Sequence, residues 1–297
     1  MLKNEKNIAF SLIEIAMVLI IIGILVTGIT QGSNLISRSK LTMAVKLTNS
    51  AEITSIKDLS FWLEASSQRS FVDDGTNNLI ENGDKVANWL NFDLRSSNPT
   101  KFSAIQGDET KQPTYVRKAI NKLPALLFEA VDDQEMAINY SNGDNHRRFT
   151  IFSVVQRIED GDENDVSGIV TQMGEGGFSL EGAVAADRWD LNLVDTLDAE
   201  FAASASDFDE NPVIISLWRN DGIARIYKNG DLKDSKTGDF KISGTNDKVI
   251  NIGSSAAAGS YFNGYIAEVI YFSRNLKNSE RKVVEEYLAN KYDIGLI

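Results

Sequence analysis

A single carboxylate, Glu14, interrupts the otherwise uncharged run Phe10–Ile29. An acidic side chain inside a membrane-spanning helix costs roughly 2.5–3.5 kcal/mol on insertion scales, and such a residue as a rule has a partner and a task. Glu14 is therefore the first candidate for chemistry, as one half of an ion pair. A second candidate is the acidic loop that starts Asp160, Asp162, Asn164. Its D-x-D-x-N beginning imitates a calcium loop, so Ca²⁺ is the ion it would take. However, Asp165 stands where the tight turn wants glycine and Thr171 where a bidentate glutamate belongs. The competing reading is a solvated loop, as it is for Asp207-Phe208-Asp209-Glu210-Asn211. The third candidate is Trp189, flanked by Arg188 and Asp190, as a platform on which a sugar ring could stack. Trp189 can also be a packed core residue, the reading that fits Trp62 and Trp218 in their strand patterns.

Other chemistries lack their residues. The chain has no cysteine, so no disulfide framework, thiolate ligand or thiol nucleophile. One histidine, His146, excludes multi-histidine metal sites, and it adjoins Arg147 and Arg148 in a polar stretch. Gly174-Glu175-Gly176-Gly177 lacks the Lys-Ser/Thr that completes a phosphate loop. No strand offers an E-x-D-x-E set of carboxylates around a scissile glycosidic bond, so no catalytic residue is assigned and no enzyme is expected. Formal charge is −12 overall; residues 1–50 carry five basic and two acidic side chains, +3, which leaves −15 for the rest. Nucleic-acid phosphates would be repelled by such a body.

These candidates need elements to position them. From Phe10 to Thr30 the chain is long enough, at about 1.5 Å per residue, to cross a bilayer core of about 30 Å. Lys3 and Lys6 precede it and put the N-terminus in the cytoplasm. A cleaved secretory signal would need a shorter apolar region and a small-x-small site, which Thr27-Gly28-Ile29-Thr30-Gln31-Gly32 supplies poorly; that reading and a plain signal anchor both leave Glu14 without a role. No proline occurs in 31–57, and the apolar residues there recur at near-helical spacing, which predicts one helix over 10–57. Beyond residue 58, short apolar runs alternate with Gly, Asn, Asp and Ser. Strands are expected near 60–64, 86–92, 125–129, 135–140, 149–158, 168–173, 177–181, 189–194, 213–219, 223–228, 249–253 and 265–273, the pattern of a sandwich or barrel. Asn220-Asp221-Gly222 and Asn229-Gly230 read as hairpin turns. Tyr265–Phe272 is apolar on both faces except for Glu268, so it belongs inside a stack, with Glu268 a buried or edge carboxylate. A closing helix is expected, with its cap at Asn278-Ser279 and a stripe of Val283, Val284, Tyr287, Leu288 and Tyr292.

Two resemblances add to this reading. Ala9-Phe10-Ser11-Leu12-Ile13-Glu14 resembles the cleavage and methylation motif of type IV prepilins, with Ala9 where the family usually has glycine. The resemblance implies that a prepilin peptidase cuts between Ala9 and Phe10, that the new Phe10 amine is N-methylated, and that Glu14 becomes the assembly residue of the mature chain. Physically, a fresh Phe10 amine of one subunit and Glu14 of a neighbour would offset each other's desolvation and fix the axial register. Phe61-Trp62-Leu63-Glu64-Ala65 is similar to the opening strand of LamG-like, concanavalin A-type jelly rolls. Leu126-Leu127-Phe128, Phe149–Phe152, Ile226–Gly230 and Phe262–Tyr271 resemble their later strands, and Glu286–Tyr292 the helix that often closes bacterial versions. This likeness implies glycan or protein binding, often with Ca²⁺.

The expectation is a mainly β protein: a leader at 1–9, a transmembrane and extended pilin-type helix at 10–57, and a LamG-like β-sandwich with a C-terminal helix at 58–297. Its reading is a minor pilin or pseudopilin of the bacterial inner membrane, exposed to the periplasm or on a pilus, with other pilin subunits as partners and a glycan or extracellular protein as ligand. The alternatives are a surface glycoside hydrolase on the same scaffold and a non-binding structural pseudopilin of a type II secretion system.

Overall fold

The computed structural model describes residues 12–71, 79–92, 101–140, 147–158, 166–172, 177–183, 186–194, 199–206, 208, 210–238, 249–255 and 260–297. A first helix, α1 (Leu12–Ser50), runs for 39 residues. Among the described residues sixteen strands follow in chain order: β1 (Leu59–Glu64), β2 (Asn88–Trp89), β3 (Ala104–Ile105), β4 (Thr114–Ile120), β5 (Leu123–Phe128), β6 (Met136–Asn139), β7 (Arg148–Arg157) and β8 (Val166–Gln172). Then come β9 (Phe178–Ala183), β10 (Arg188–Val194), β11 (Ala199–Ser206), β12 (Val213–Asn220), β13 (Ile223–Lys228), β14 (Asp231–Thr237), β15 (Val249–Ile252) and β16 (Gly264–Phe272), and the chain closes with α2 (Asn278–Tyr292).

The strands form two antiparallel sheets. The first has the order β14-β13-β12-β7-β16-β5-β4, with β1 also paired to β16; the second has the order β11-β10-β9-β8-β15-β6-β3-β2. One apolar layer lies between them and includes Phe61, Leu63, Ile151, Val155, Ile215, Val269, Tyr271, Trp189 and Leu191. A second layer lies on the other side of the first sheet, where Trp62, Phe152, Val154, Ile214, Ile270 and Phe272 meet Val284, Leu288 and Tyr292 of α2 and Ala44 of α1. The first sheet is thus covered on both faces. This is why β16 reads as a continuous apolar run and why its one carboxylate, Glu268, is fully buried.

α1 changes character along its length. Its apolar side chains from Leu12 to Val26 are exposed, as a lipid-facing helix requires. Further on, Ser37, Ala44 and Thr48 are buried, at spacings of seven and four that place them on one stripe against the sheet and α2. Beside that stripe Leu35, Ile36 and Met43 stay exposed. The helix ends at Ser50, not at 57: a 3₁₀ turn over Glu52–Ser55 replaces its last turns, and Ile53 and Ile56 turn into the core.

Both expected hairpin turns form. Asp221 (φ 48°) leads Gly222 between β12 and β13. Asn229 (φ 50°) and Gly230 (φ 82°) join β13 to β14, and left-handed backbone at both central positions is what a type I′ turn requires. The closing helix starts one residue earlier than its expected cap. Lys277 holds the N-cap position, and its backbone N–H donates to Glu280 Oε2 at 2.8 Å. Val283 is not part of the packed stripe; it is 36% exposed. The strand expected over 86–92 shortens to Asn88–Trp89.

Candidate functional site

Two polar constellations stand out. The first is enclosed, between the first sheet and α2. Lys291 Nζ donates to Glu64 Oε2 on β1 at 2.9 Å and to Glu268 Oε2 on β16 at 2.8 Å. Trp62 Nε1 (2.6 Å) and the Tyr287 hydroxyl (2.9 Å) donate to Glu268 Oε1, and the Tyr292 hydroxyl (2.9 Å) to Oε2. Glu64 also accepts from Ser66 and Ser67 N–H groups. Burial pushes the Glu64 carboxyl up, but the Lys291 charge and the Ser66 hydrogen bonds outweigh it, and Glu64 sits below the usual carboxylate range. Burial pushes Glu268 up, Lys291 opposes and the Glu64 charge adds, so Glu268 sits above it. Burial disfavours the Lys291 cation, yet the two carboxylates outweigh that cost and raise it. None of these three side chains is exposed. A site no ligand can enter is an internal clamp: it ties the closing helix to the first and last strands. It also explains why Glu64 and Glu268 occur in two otherwise apolar strand runs. A second buried pair, Arg281 with Glu285, does the same for the β12 region through Ser216 Oγ, which donates to Glu285 Oε1 at 2.8 Å.

The second constellation lies on the outer face of the second sheet and is half-buried: Glu181, Arg188, Asn192 and Ser255 are partly exposed, whereas Ser179 and Asp190 are buried. Strand alternation decides which side chains reach it. Phe178, Leu180, Trp189 and Leu191 point into the core, so Ser179, Glu181, Arg188, Asp190 and Asn192 point out. Glu181 stands directly opposite Asp190, and Ser179 opposite Asn192. Glu181 is held at both oxygens: Ser255 Oγ donates to Oε1 at 2.7 Å and Asn192 Nδ2 to Oε2 at 2.9 Å. Arg188 Nε donates to both Asp190 oxygens, at 2.8 and 3.0 Å. Burial pushes the Asp190 carboxyl up, the Arg188 bonds oppose, and the Glu181 charge adds to the rise. Ser255 reaches this face because the chain after β15 crosses the sheet at Gly168, where an added Cβ would lie 1.8 Å from Ser255 N. The crossing is fixed by Thr171 Oγ1, which donates to the Ser254 carbonyl at 2.8 Å. A fixed carboxylate, an amide and an arginine–aspartate pair side by side can exchange hydrogen bonds with the hydroxyls of a polar ligand.

The structure separates the triplet read from the sequence. Arg188 and Asp190 lie on the outer face, Arg188 partly exposed and Asp190 beneath it, but Trp189 is wholly buried, its ring edge-on to Phe208 at 4.6 Å. Trp189 is therefore corrected: consecutive strand residues face opposite ways, so an indole between two outward polar residues points into the core and offers no face to a sugar. Phe208 itself fills the space above Gly182, which turns part of the expected acidic loop 207–211 into core. Glu14 lies in the first turn of α1, far along the helix from both constellations. Ala9, Phe10, Asp160, Asp162, Asn164 and His146 lie outside the described residues. Among the described residues, no group of three acidic or imidazole side chains gathers to hold a metal ion. Sequence reasoning missed Glu181, Asn192 and Ser255. The first was detectable as the lone charge at an outward position of β9, whereas nothing local marks Ser255.

Two antiparallel sheets packed face to face, with a polar outer face crossed by a loop, define a lectin-type β-sandwich. The chain belongs to the concanavalin A-like lectin/glucanases superfamily, whose laminin G-type profile matches residues 131–280. No curated protein matches the chain. Among solved structures, the receptor-binding domain of botulinum neurotoxin D is similar with a TM-score of 0.53 at 14% identity, over 79% of this chain and 53% of that one. The botulinum neurotoxin type G receptor-binding domain matches with a TM-score of 0.52 at 14% identity, over 79% and 52%. A botulinum neurotoxin type C structure, described as depending on two ganglioside molecules for cell entry, matches with 0.52 at 13% identity, over 80% and 52%. The chain spans about half the length of these relatives, and at such identities the likeness is one of fold.

Proposed function

We propose that this is a membrane-anchored, pilin-type assembly protein that displays a glycan-binding sandwich. The observation that carries the reading is the division of α1: an apolar half with exposed side chains long enough to cross a membrane, then a half docked on the sandwich. In this reading a prepilin peptidase cuts between Ala9 and Phe10 at the cytoplasmic side of a bacterial inner membrane. The Phe10 amine is N-methylated, and Glu14 pairs with the amine of a neighbouring pilin or pseudopilin subunit. The exposed stripe of Leu35, Ile36 and Met43 gives neighbouring helices an apolar seam beyond the membrane. Outside, the face formed by Glu181, Asn192, Arg188 and Asp190 takes a glycan, and Ca²⁺ at Asp160, Asp162 and Asn164 is the cofactor such a loop would use.

Binding is favoured over hydrolysis by the state of the two carboxylates. Direct opposition in the register puts Glu181 and Asp190 side by side on one face, and a glycosidase likewise needs two neighbouring carboxyl groups. Yet both Asp190 oxygens are taken by Arg188 and both Glu181 oxygens by Ser255 and Asn192. Two measurements test the reading. Intact mass of the protein recovered from cells with a working prepilin peptidase should begin at methylated Phe10; material that still begins with Met1 rules out the pilin part. Glycans incubated with the purified chain should be retained intact; depolymerisation would move the reading to a glycoside hydrolase, and absence of any retained glycan to a structural pseudopilin.

A further inference from the structure

Where the β4–β5 hairpin meets α1, a cleft of about 230 Å³ is lined by Asn34, Ser37 and Arg38 of the helix and by Arg117, Lys118 and Lys122 of the hairpin. Four cations share it, and among the described residues no carboxylate lines it. Lys118 Nζ donates to Asn34 Oδ1 at 2.9 Å, which closes the membrane-proximal end. Among the described residues, none of the four cations is in a salt bridge. Elsewhere the same chain pairs its cations: Lys40 with Asp293, Arg148 with Asp221, Arg274 with Glu280, and Lys291 with Glu64 and Glu268. Acidic residues outnumber basic ones 42 to 30. A cleft of four cations is thus not a by-product of a basic surface, and an anion from outside would relieve their mutual repulsion.

The position of the cleft says which anion. Asn34 to Arg38 follow the end of the apolar run at Thr30 by four to eight residues, about 6–12 Å along the helix axis. The head-group layer extends about 5–7 Å beyond the hydrocarbon core, and long basic side chains reach back toward it. Arginine forks match phosphate oxygens in pairs, and lysines add point charges. We propose that this cleft binds the phosphate oxyanion of an anionic phospholipid at the outer surface of the membrane that α1 spans. The proposal rests on the membrane-anchored reading of α1. A body that carries most of the chain's negative charge is repelled by an anionic leaflet; the cleft reverses the sign where the sandwich comes nearest the lipid and orients it there.

The test uses the full chain in non-ionic detergent, with phosphatidylglycerol and phosphatidylcholine offered in competition and retained lipid read by native mass spectrometry. Phosphatidylglycerol should be retained in preference, and the triple change Arg38→Gln, Arg117→Gln, Lys118→Gln should lower its retention by about fivefold per removed charge. All three side chains are exposed, so the fold should persist, as a circular dichroism spectrum will verify. Equal retention of the two lipids, or unchanged retention in the triple variant, overturns the proposal. Inorganic phosphate in large excess should leave the lipid adduct in place; replacement of the lipid by free phosphate overturns the lipid assignment. Carbonate extraction of cell membranes tests the anchor separately. A chain that resists extraction but shows no lipid preference refutes this cleft alone, and a chain released by carbonate refutes the anchor.

Discussion

Lys291 Nζ lies 2.8 Å from Glu268 Oε2, and neither side chain is exposed to solvent. With Glu64 2.9 Å from the same nitrogen, two carboxylates depend on one cation. Desolvating three charges is costly, and only their mutual attraction and the surrounding hydroxyl, indole and backbone donors offset it. Lys291→Met should therefore destabilise the sandwich by about 3–5 kcal/mol, because it strands two buried carboxylates. Urea unfolding of the detergent-solubilised chain, followed by tryptophan fluorescence, measures this directly, since Trp62 bonds to Glu268. A loss below 1 kcal/mol, roughly the value of a surface pair, would show that the clamp is not intact.

The same cluster sets the pH dependence. Unfolded tyrosine and lysine release their protons near 10.0 and 10.5, whereas burial and the two carboxylates hold Tyr287 and Tyr292 above that value, and the carboxylates hold Lys291 above it against burial. The folded state then binds more protons than the unfolded state in alkali, so stability is complete below pH 10 and falls as pH rises beyond it. In acid the two carboxylates oppose each other. Glu64 contributes stability above the ordinary glutamate value of 4.5 that is lost as pH falls through its lowered folded value. Glu268, raised in the fold, gains stability as pH falls through its folded value. The urea midpoint should show a steep alkaline limb and a shallow acidic one, and a steep acidic limb would contradict the pairing.

Trp189→Ala should cost about 3–5 kcal/mol through the cavity it leaves. Trp189→Phe, in contrast, should keep glycan retention while Glu181→Ala loses it. Paired measurements of unfolding and glycan retention separate the two residues. Loss of binding with Trp189→Phe at full stability would return the indole to the ligand face.

Gly168→Ala should push the Ser254–Ser255 backbone off the sheet, because the new Cβ would meet Ser255 N at 1.8 Å. Overpacking of this kind costs about 1–3 kcal/mol. It should also weaken glycan retention, since Ser255 would no longer hold Glu181. Unchanged stability and binding would mean that the crossing loop has no part in the site.

Glu14→Ala should still insert in the membrane, and more readily without the charge, yet fail to enter filaments beside other subunits. Fractionation followed by filament shearing distinguishes these outcomes, and normal incorporation removes Glu14 from assembly.

Much of this architecture is legible in the residues because it is local. The apolar run of α1, the Asn229-Gly230 turn and the doubly apolar β16 each follow from a few neighbours in the chain. Strand β14, DLKDSKT, was not anticipated because it is an edge strand with a single large apolar residue, largely exposed on both faces. Strand β11, AEFAASAS, consists mostly of small residues that carry little strand preference. Trp189 could have been placed correctly, since alternation fixes its side of the sheet once Arg188 and Asp190 are taken as outward. The Glu64–Lys291 contact could not, because 227 residues separate its partners and nothing near either one marks the other.

Among the described residues β1 finds its one sheet partner in β16, and Trp62 reaches Glu268 across 206 residues of chain. The first strand made is therefore completed by the last. During synthesis it must wait, unpaired, until the ribosome has released nearly everything, and non-local pairing of this kind is slow. A chain held open so late keeps an apolar strand exposed through most of its synthesis, and that strand is open to aggregation until β16 arrives to cover it.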